Sequence, residues 1–174
     1  MSKVSVGNPM RLLGIIGAVL VTLLLFTGKG GASGVDLHWL WDNQCAECHG
    51  HSGEFARKFL KATNGQLQGS HHVQGLRLFM RNHYTQNTEV DAVYEMLLAQ
   101  ARAKPRFKQE CGNCHGSAAA FVRHSVILQD EVLLSRESGQ PIQRFLQQHR
   151  QLEADDVVFF TSLLNRIAGE VFRP

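Results

Sequence analysis

All four cysteines of this 174-residue chain fall in two copies of one spelling, "CAECHG" at 45 to 50 and "CGNCHG" at 111 to 116. Sliding the sequence along itself until Cys45 meets Cys111 superposes the two without a gap, and the correspondence runs on. Phe55 falls on Phe121, Arg57 on Arg123, Leu67 on Leu133, Phe79 on Phe145, His83 on His149, and the pair Leu97, Leu98 on Leu163, Leu164. A chain that repeats itself at a fixed period builds one supersecondary unit twice. The expected organisation is two tandem modules, 35 to 104 and 105 to 174, with Pro105 in the hinge between them.

Each module reads as helical, and the fold class expected is all-α. A cysteine-bearing stretch is followed by an irregular middle rich in Gly, Ser and Asn or Gln, then by a closing amphipathic helix. In the first copy Val90, Val93, Tyr94, Leu97, Leu98 and Ala101 form the apolar stripe, and Thr88 with Asp91 reads as a capping box at its start. In the second copy Phe159, Phe160, Leu163, Leu164 and Ile167 repeat the stripe. A module of this size buries little surface by itself and needs a staple.

Residues 1 to 34 read as an export signal or membrane anchor. Lys3 and Arg11 precede the apolar run Leu12 to Phe26, and the small residues of "GKGGASG" follow. This run suits a signal-peptide core and falls short of the roughly 20 residues that span a bilayer. Cleavage near Gly34 is one outcome and retention as an inner-membrane anchor is the other. Both place the remainder outside the cytoplasm, in the periplasm. The excess positive charge also belongs to the leader. Lys3, Arg11 and Lys29 account for three of the 18 Lys and Arg, which leaves 15 against 15 Asp and Glu from residue 35 onward. That balance offers no basic face for nucleic acid.

Closely spaced cysteines serve disulfides, zinc sites or thioether attachment of haem. Disulfide chemistry asks for no histidine behind each pair. A zinc ribbon wants about 15 to 20 residues between pairs, whereas everything from His49 to Glu110 lies between the pairs here. Haem attachment uses every letter: two thiols add to the two vinyl groups on one porphyrin edge, and the adjoining histidine binds the iron. Cys45, Cys48 and His49 are assigned to one haem c, and Cys111, Cys114 and His115 to a second.

The second axial position decides between electron transfer and an open, reactive iron. Methionine fails as a common solution, because none lies after Met96. His83 and His149 instead follow His49 and His115 at one and the same spacing, in "FMRNH" and "FLQQH". Bis-histidine ligation by His49 with His83, and by His115 with His149, is the expectation. His71 and His72 stand in reserve for the first iron and His124 for the second, while His38 and His51 read as surface groups. Arg57 and Arg123 read equally as partners of haem propionates and as solvated side chains. Phe55, Phe121, Phe79 and Phe145 read as pocket walls, and Trp39 and Trp41 as packing for the opening helix.

With its two CxxCH sites, paired histidines and leader, the chain resembles the dihaem c-type cytochromes of bacteria, specifically those with bis-histidine ligation. The resemblance covers residues 35 to 174 and implies two small cytochrome c-like modules, each wrapped around covalent haem. It also implies single-electron transfer in the periplasm between redox partner proteins, without enzymatic activity. Membrane association would come through residues 12 to 26. An open iron would suit a dihaem peroxidase or a gas-binding protein instead, and a retained leader would suit a cytochrome subunit of a membrane oxidoreductase complex.

Overall fold

The computed structural model describes residues 34–70, 75–83, 89–149 and 152–173. The leader, His71, His72 and Thr88 lie outside the described residues. Along the chain run α1 (Leu37–Gln44), α2 (Ala46–His49), α3 (Ser52–Phe59), β1 (Leu60–Thr63), β2 (Gln66–Gly69), α4 (Leu76–Asn82) and α5 (Val90–Arg102). The second half follows with α6 (Arg106–Glu110), α7 (Gly112–His115), α8 (Ala118–Ser125), β3 (Val126–Gln129), β4 (Val132–Ser135), α9 (Ile142–Gln148) and α10 (Ala154–Val171). With the cysteine motifs superposed, every element from α2 to α4 starts and stops in register with its counterpart from α7 to α9.

The chain is mostly helical, and the all-α expectation is corrected at the irregular middles. Each is a β-hairpin: Leu60 pairs with Gly69 and Thr63 with Gln66, while Val126 pairs with Ser135 and Gln129 with Val132. Asn64 and Gly65 turn the first hairpin with φ of 48° and 80°. Both central residues at positive φ is the demand of a type I′ turn, for which Asn-Gly is the strongest short-range signal. Asp130 and Glu131 take the same turn at φ of 48° and 66° without a glycine. The first hairpin is tied inward where the Leu67 N–H donates to the Tyr94 hydroxyl at 2.8 Å.

Each half buries its own hydrophobic cluster. The first gathers Leu37, Leu40 and Trp41 with Ala56, Leu67 and the inner face of α5; the second gathers Phe107, Phe121, Val122 and Leu133 with that of α10. In the closing helices the repeat slips by one position. Val90, Val93 and Leu97 occupy the buried places that Val157, Phe160 and Leu164 occupy in the second half, one step beyond the register of the cysteine motifs. The buried stripe thus starts one position later after His149 than after His83, and Leu163 is only partly buried. The capping box at α5 is also corrected: Glu89 is the N-cap and supplies no side-chain hydrogen bond, while Asp91 pairs with Arg77 at 2.5 Å.

Gly34–Pro174 forms one compact unit, and polar contacts join its halves. His38, expected at the surface, is buried on α1 with its Nε2 2.7 Å from Glu170 Oε2 on α10. Lys108 pairs with Glu54 and Arg173 with Glu89. Arg123 grips Asp36 with two nitrogens, at 2.5 and 3.1 Å. Asp36 also caps α1 by accepting from the N–H groups of His38 and Trp39. Burial pushes the Asp36 carboxyl up, but the Arg123 hydrogen bond and charge and the Trp39 N–H outweigh it, so the net pKa is lowered.

A lowered carboxyl pKa contributes stability above its unfolded value of about 3.9, lost as pH falls through the lower folded value. Asn caps as well as Asp, so Asp36→Asn isolates the ion pair and should cost about 1 kcal/mol at pH 7. Asp36→Ala should cost about 2 kcal/mol, because the cap contributes roughly another 1. Urea unfolding measures both, and the gap between wild type and Asp36→Asn should close as pH falls below about 4. Equal costs for the two variants would contradict the separate cap and pair contributions.

Candidate functional site

Each half carries a cleft walled by the same set of elements. The first encloses about 450 Å³ and the second about 790 Å³, both within the range of about 300–1,000 Å³ usual for cofactor-sized sites. Cys45, Cys48, His49 and His83 line the first cleft; Cys111, Cys114, His115 and His149 line the second. The structure thus gathers all eight residues singled out by the sequence, four to a cleft. None of the four cysteines is in a disulfide; Cys48 and Cys114 are exposed, and Cys45 and Cys111 partly buried. Burial pushes the Cys45 thiol pKa up.

The position of the first imidazole of each pair follows from a short helix that ends abruptly. His49 terminates α2 and His115 terminates α7, each followed by a glycine with φ of 67°. The ψ values at Gly50 and Gly116 are −158° and −127°, a region nearly closed to residues with a Cβ. A Cβ at either position would meet no atom within 4 Å. The requirement for glycine is conformational, not one of space. In the first half Trp41 Nε1 donates to the Gly50 carbonyl at 2.8 Å and so pins the reversal; Phe107 takes that place in the second half and has no such donor.

Phenylalanines hold the rings. Phe55 and Phe121 meet His49 and His115 edge to face, with centroids 4.6 and 4.9 Å apart. Phe79 and Phe145, one helical turn before His83 and His149, stack on them at 4.8 and 4.9 Å with planes within 21° and 19°. The result is nearly the same in both halves: His49 and His83 centroids stand 6.0 Å apart at 60°, and His115 and His149 stand 5.9 Å apart at 61°. A nitrogen–metal bond of about 2.0–2.1 Å, plus a little over 1 Å from nitrogen to ring centre, puts two imidazoles on opposite sides of one metal about 6.3 Å apart. Burial, and then the neighbouring His83, lower the His49 pKa, which favours the neutral ring.

Among the described residues no group of three or more His, Cys, Asp or Glu is placed to hold a metal ion. A bare zinc ion takes at least three protein ligands. Two imidazoles with room between them suit an ion that brings its own equatorial ligands, with two thiols on the cleft wall to fix the carrier. The residues present therefore fit haem.

Other expectations divide. Phe55, Phe79, Phe121 and Phe145 all line the clefts. Arg57 and Arg123 line neither: Arg123 pairs with Asp36, and Arg57 borders a separate cavity between the halves. His124 is exposed and lines neither cleft. Trp41 is buried in the first cleft wall, while Trp39 is 55% exposed and packs little. Sequence reasoning passes over Gly50 and Gly116, although both motifs print the glycine. Among the described residues no helix is long and apolar enough to cross a membrane.

No protein-family model, no curated protein and no solved structure matches this chain.

Gly50→Ala should lower stability by about 1–3 kcal/mol despite the open space around it, because the penalty is torsional. Denaturant unfolding measures this, and an unchanged midpoint would contradict a glycine-only conformation.

Proposed function

We propose that this chain is an exported dihaem c-type cytochrome that passes single electrons between redox partner proteins. The observation that carries the reading is the duplicated imidazole pair, 6.0 and 5.9 Å between centroids, each in a cleft that two cysteines also line. Cys45 and Cys48 would anchor one haem c, and Cys111 and Cys114 the other. His49 and His83 would take the axial positions of the first iron, and His115 and His149 those of the second.

Bound haem would supply a one-electron ferric/ferrous couple, at a lower potential than methionine ligation gives. The protein's part is to hold. Phe79 and Phe145 stack on the second imidazole of each pair and restrict its rotation. Phe55 and Phe121 brace the first from its edge. If both imidazoles held the iron, no position would be left open for catalysis there, which favours a carrier over an enzyme. The leader supports export to the periplasm, with residues 12 to 26 as the route to any membrane association.

The protein isolated from a haem-ligating host should retain two haems through acid–acetone extraction, and its oxidised spectrum should be entirely low-spin with no shift on adding carbon monoxide to the reduced form. Extractable haem, or none, would overturn the reading; rapid carbon monoxide binding would point to an open iron. His149→Ala should turn one haem high-spin and leave the other unchanged. A spectrum that stays low-spin throughout would remove His149 from the ligand set.

A further inference from the structure

The sequence divides its charge unevenly between the two copies. From Phe55 to Thr88 there is no Asp or Glu, while Arg57, Lys58, Lys61, Arg77 and Arg81 all fall there. The matching stretch of the second copy, Phe121 to Ala154, sets Asp130, Glu131, Glu137 and Glu153 against Arg123, Arg136, Arg144 and Arg150. Folding neutralises part of the first copy's excess: Arg77 pairs with Asp91 and Glu95 of α5, and Arg81 with Asp91. Lys58 and Lys61 stay exposed, with no ion-pair partner among the described residues.

Between those two lysines along the chain an aromatic ring is left in solvent. Phe59 ends α3 and is 45% exposed, and the Lys58 Nζ lies over its ring, 5.0 Å from the centroid. The same ring meets Phe55 with centroids 5.4 Å apart, and Phe55 meets His49 at 4.6 Å. A row of ring contacts thus runs from the surface to the first imidazole.

The second half has the backbone without this surface. Helix α8 ends at Ser125 where α3 ends at Phe59, and His124 and Ile127 stand where Lys58 and Lys61 do. One scaffold therefore folds with or without the exposed ring and its two cations, so folding does not account for them. An aromatic anchor beside charged side chains has the make-up of an interface centre with its polar rim. Unpaired positive charge around it selects an acidic partner and speeds the encounter.

We infer that the surface formed by Phe59, Lys58 and Lys61 is where an acidic one-electron protein docks, and that the first half, not the second, receives it. The inference rests on the cytochrome reading, which makes the partner a redox protein. One electron passes from the reduced partner to the ferric iron held by His49 and His83, the partner is oxidised by one electron, and no bond forms or breaks. Phe59 and Phe55 fill the space between the docked partner and His49.

Stopped-flow reduction of the oxidised full chain, isolated with its haems, by flavodoxin hydroquinone tests this, since that protein is strongly acidic and gives up one electron to become the semiquinone. Expected is a second-order rate constant that falls about tenfold or more between about 10 mM and about 500 mM salt. Lys58→Gln combined with Lys61→Gln should slow the low-salt reaction about threefold or more and leave the high-salt rate unchanged. Phe59→Ser, which installs the residue that ends α8, should slow the reaction about threefold at both salt concentrations. Arg144→Gln, which removes an exposed cation of the second half, should leave every rate unchanged. A salt-independent rate, equal slowing by Arg144→Gln, or rates unaltered by the substitutions at Phe59 and the lysines would each overturn the inference. Sedimentation with phosphatidylglycerol vesicles that the lysine substitutions abolish would also overturn it, by assigning the patch to a lipid surface. The absorption spectrum of the same samples separates two kinds of failure: a wild-type chain without two low-spin haems overturns the cytochrome reading and this inference with it, whereas intact haems with a patch-independent rate overturn this inference alone.

Discussion

In each half two imidazoles from separate helices stand with ring centroids 6.0 or 5.9 Å apart, and most of the architecture of that half serves to place them. The first ring is placed by a helix of a single turn, stopped by a glycine in a conformation that other residues avoid. The second is placed by the end of a seven-residue helix and by the phenylalanine stacked on it from one turn earlier. The hairpin between them brings the chain back from the first helix to the second. Leu60, at the hairpin's start, is itself part of the first cleft wall. The long closing helix then packs beneath, sending Val93 and Leu97, or Phe160 and Leu164, into the cleft floor.

The two halves repeat one another in backbone more closely than in chemistry. Trp41 and Phe107 fill the same position, but only the tryptophan has a donor to pin the loop after the cysteine motif. The second cleft is the larger of the two by volume. Between the halves the joint is polar: Asp36 with Arg123, His38 with Glu170, Glu89 with Arg173 and Glu54 with Lys108. Charge pairs specify a relative orientation through geometry and complementarity, and contribute less to affinity than apolar burial does. The cavity between the halves is lined by Arg57, Lys104, Lys108 and Arg166, in contrast to the aromatic clefts.

Legibility in the sequence varies by element, for physical reasons. The eight residues proposed as thioether and axial positions stand out because covalent and metal chemistry ties residue type to spacing, and the repeat prints each twice. The hairpins escape a sequence reading although Asn64-Gly65 is a type I′ signal, because the strands beside it, "LKAT" and "QLQG", are too short and polar to show clear alternation. The second hairpin has no glycine to mark it at all. The one-position slip at the closing helix is hidden by the adjacent leucines, Leu97, Leu98 and Leu163, Leu164, which align acceptably in either register. Burial alone separates the two.

The twofold repeat, the helical closing stripes and the identity of the paired cysteines and histidines follow from residue order alone, since each depends on spacing along one stretch of chain. Only the packing of the two halves settles that His38 is buried against Glu170, that Arg123 serves a helix cap instead of a cleft, and that Gln100 is left with an unpaired oxygen. Those outcomes depend on which surfaces meet. Contacts as distant along the chain as Asp36 with Arg123 and His38 with Glu170 leave no periodic trace for a sequence reading to follow.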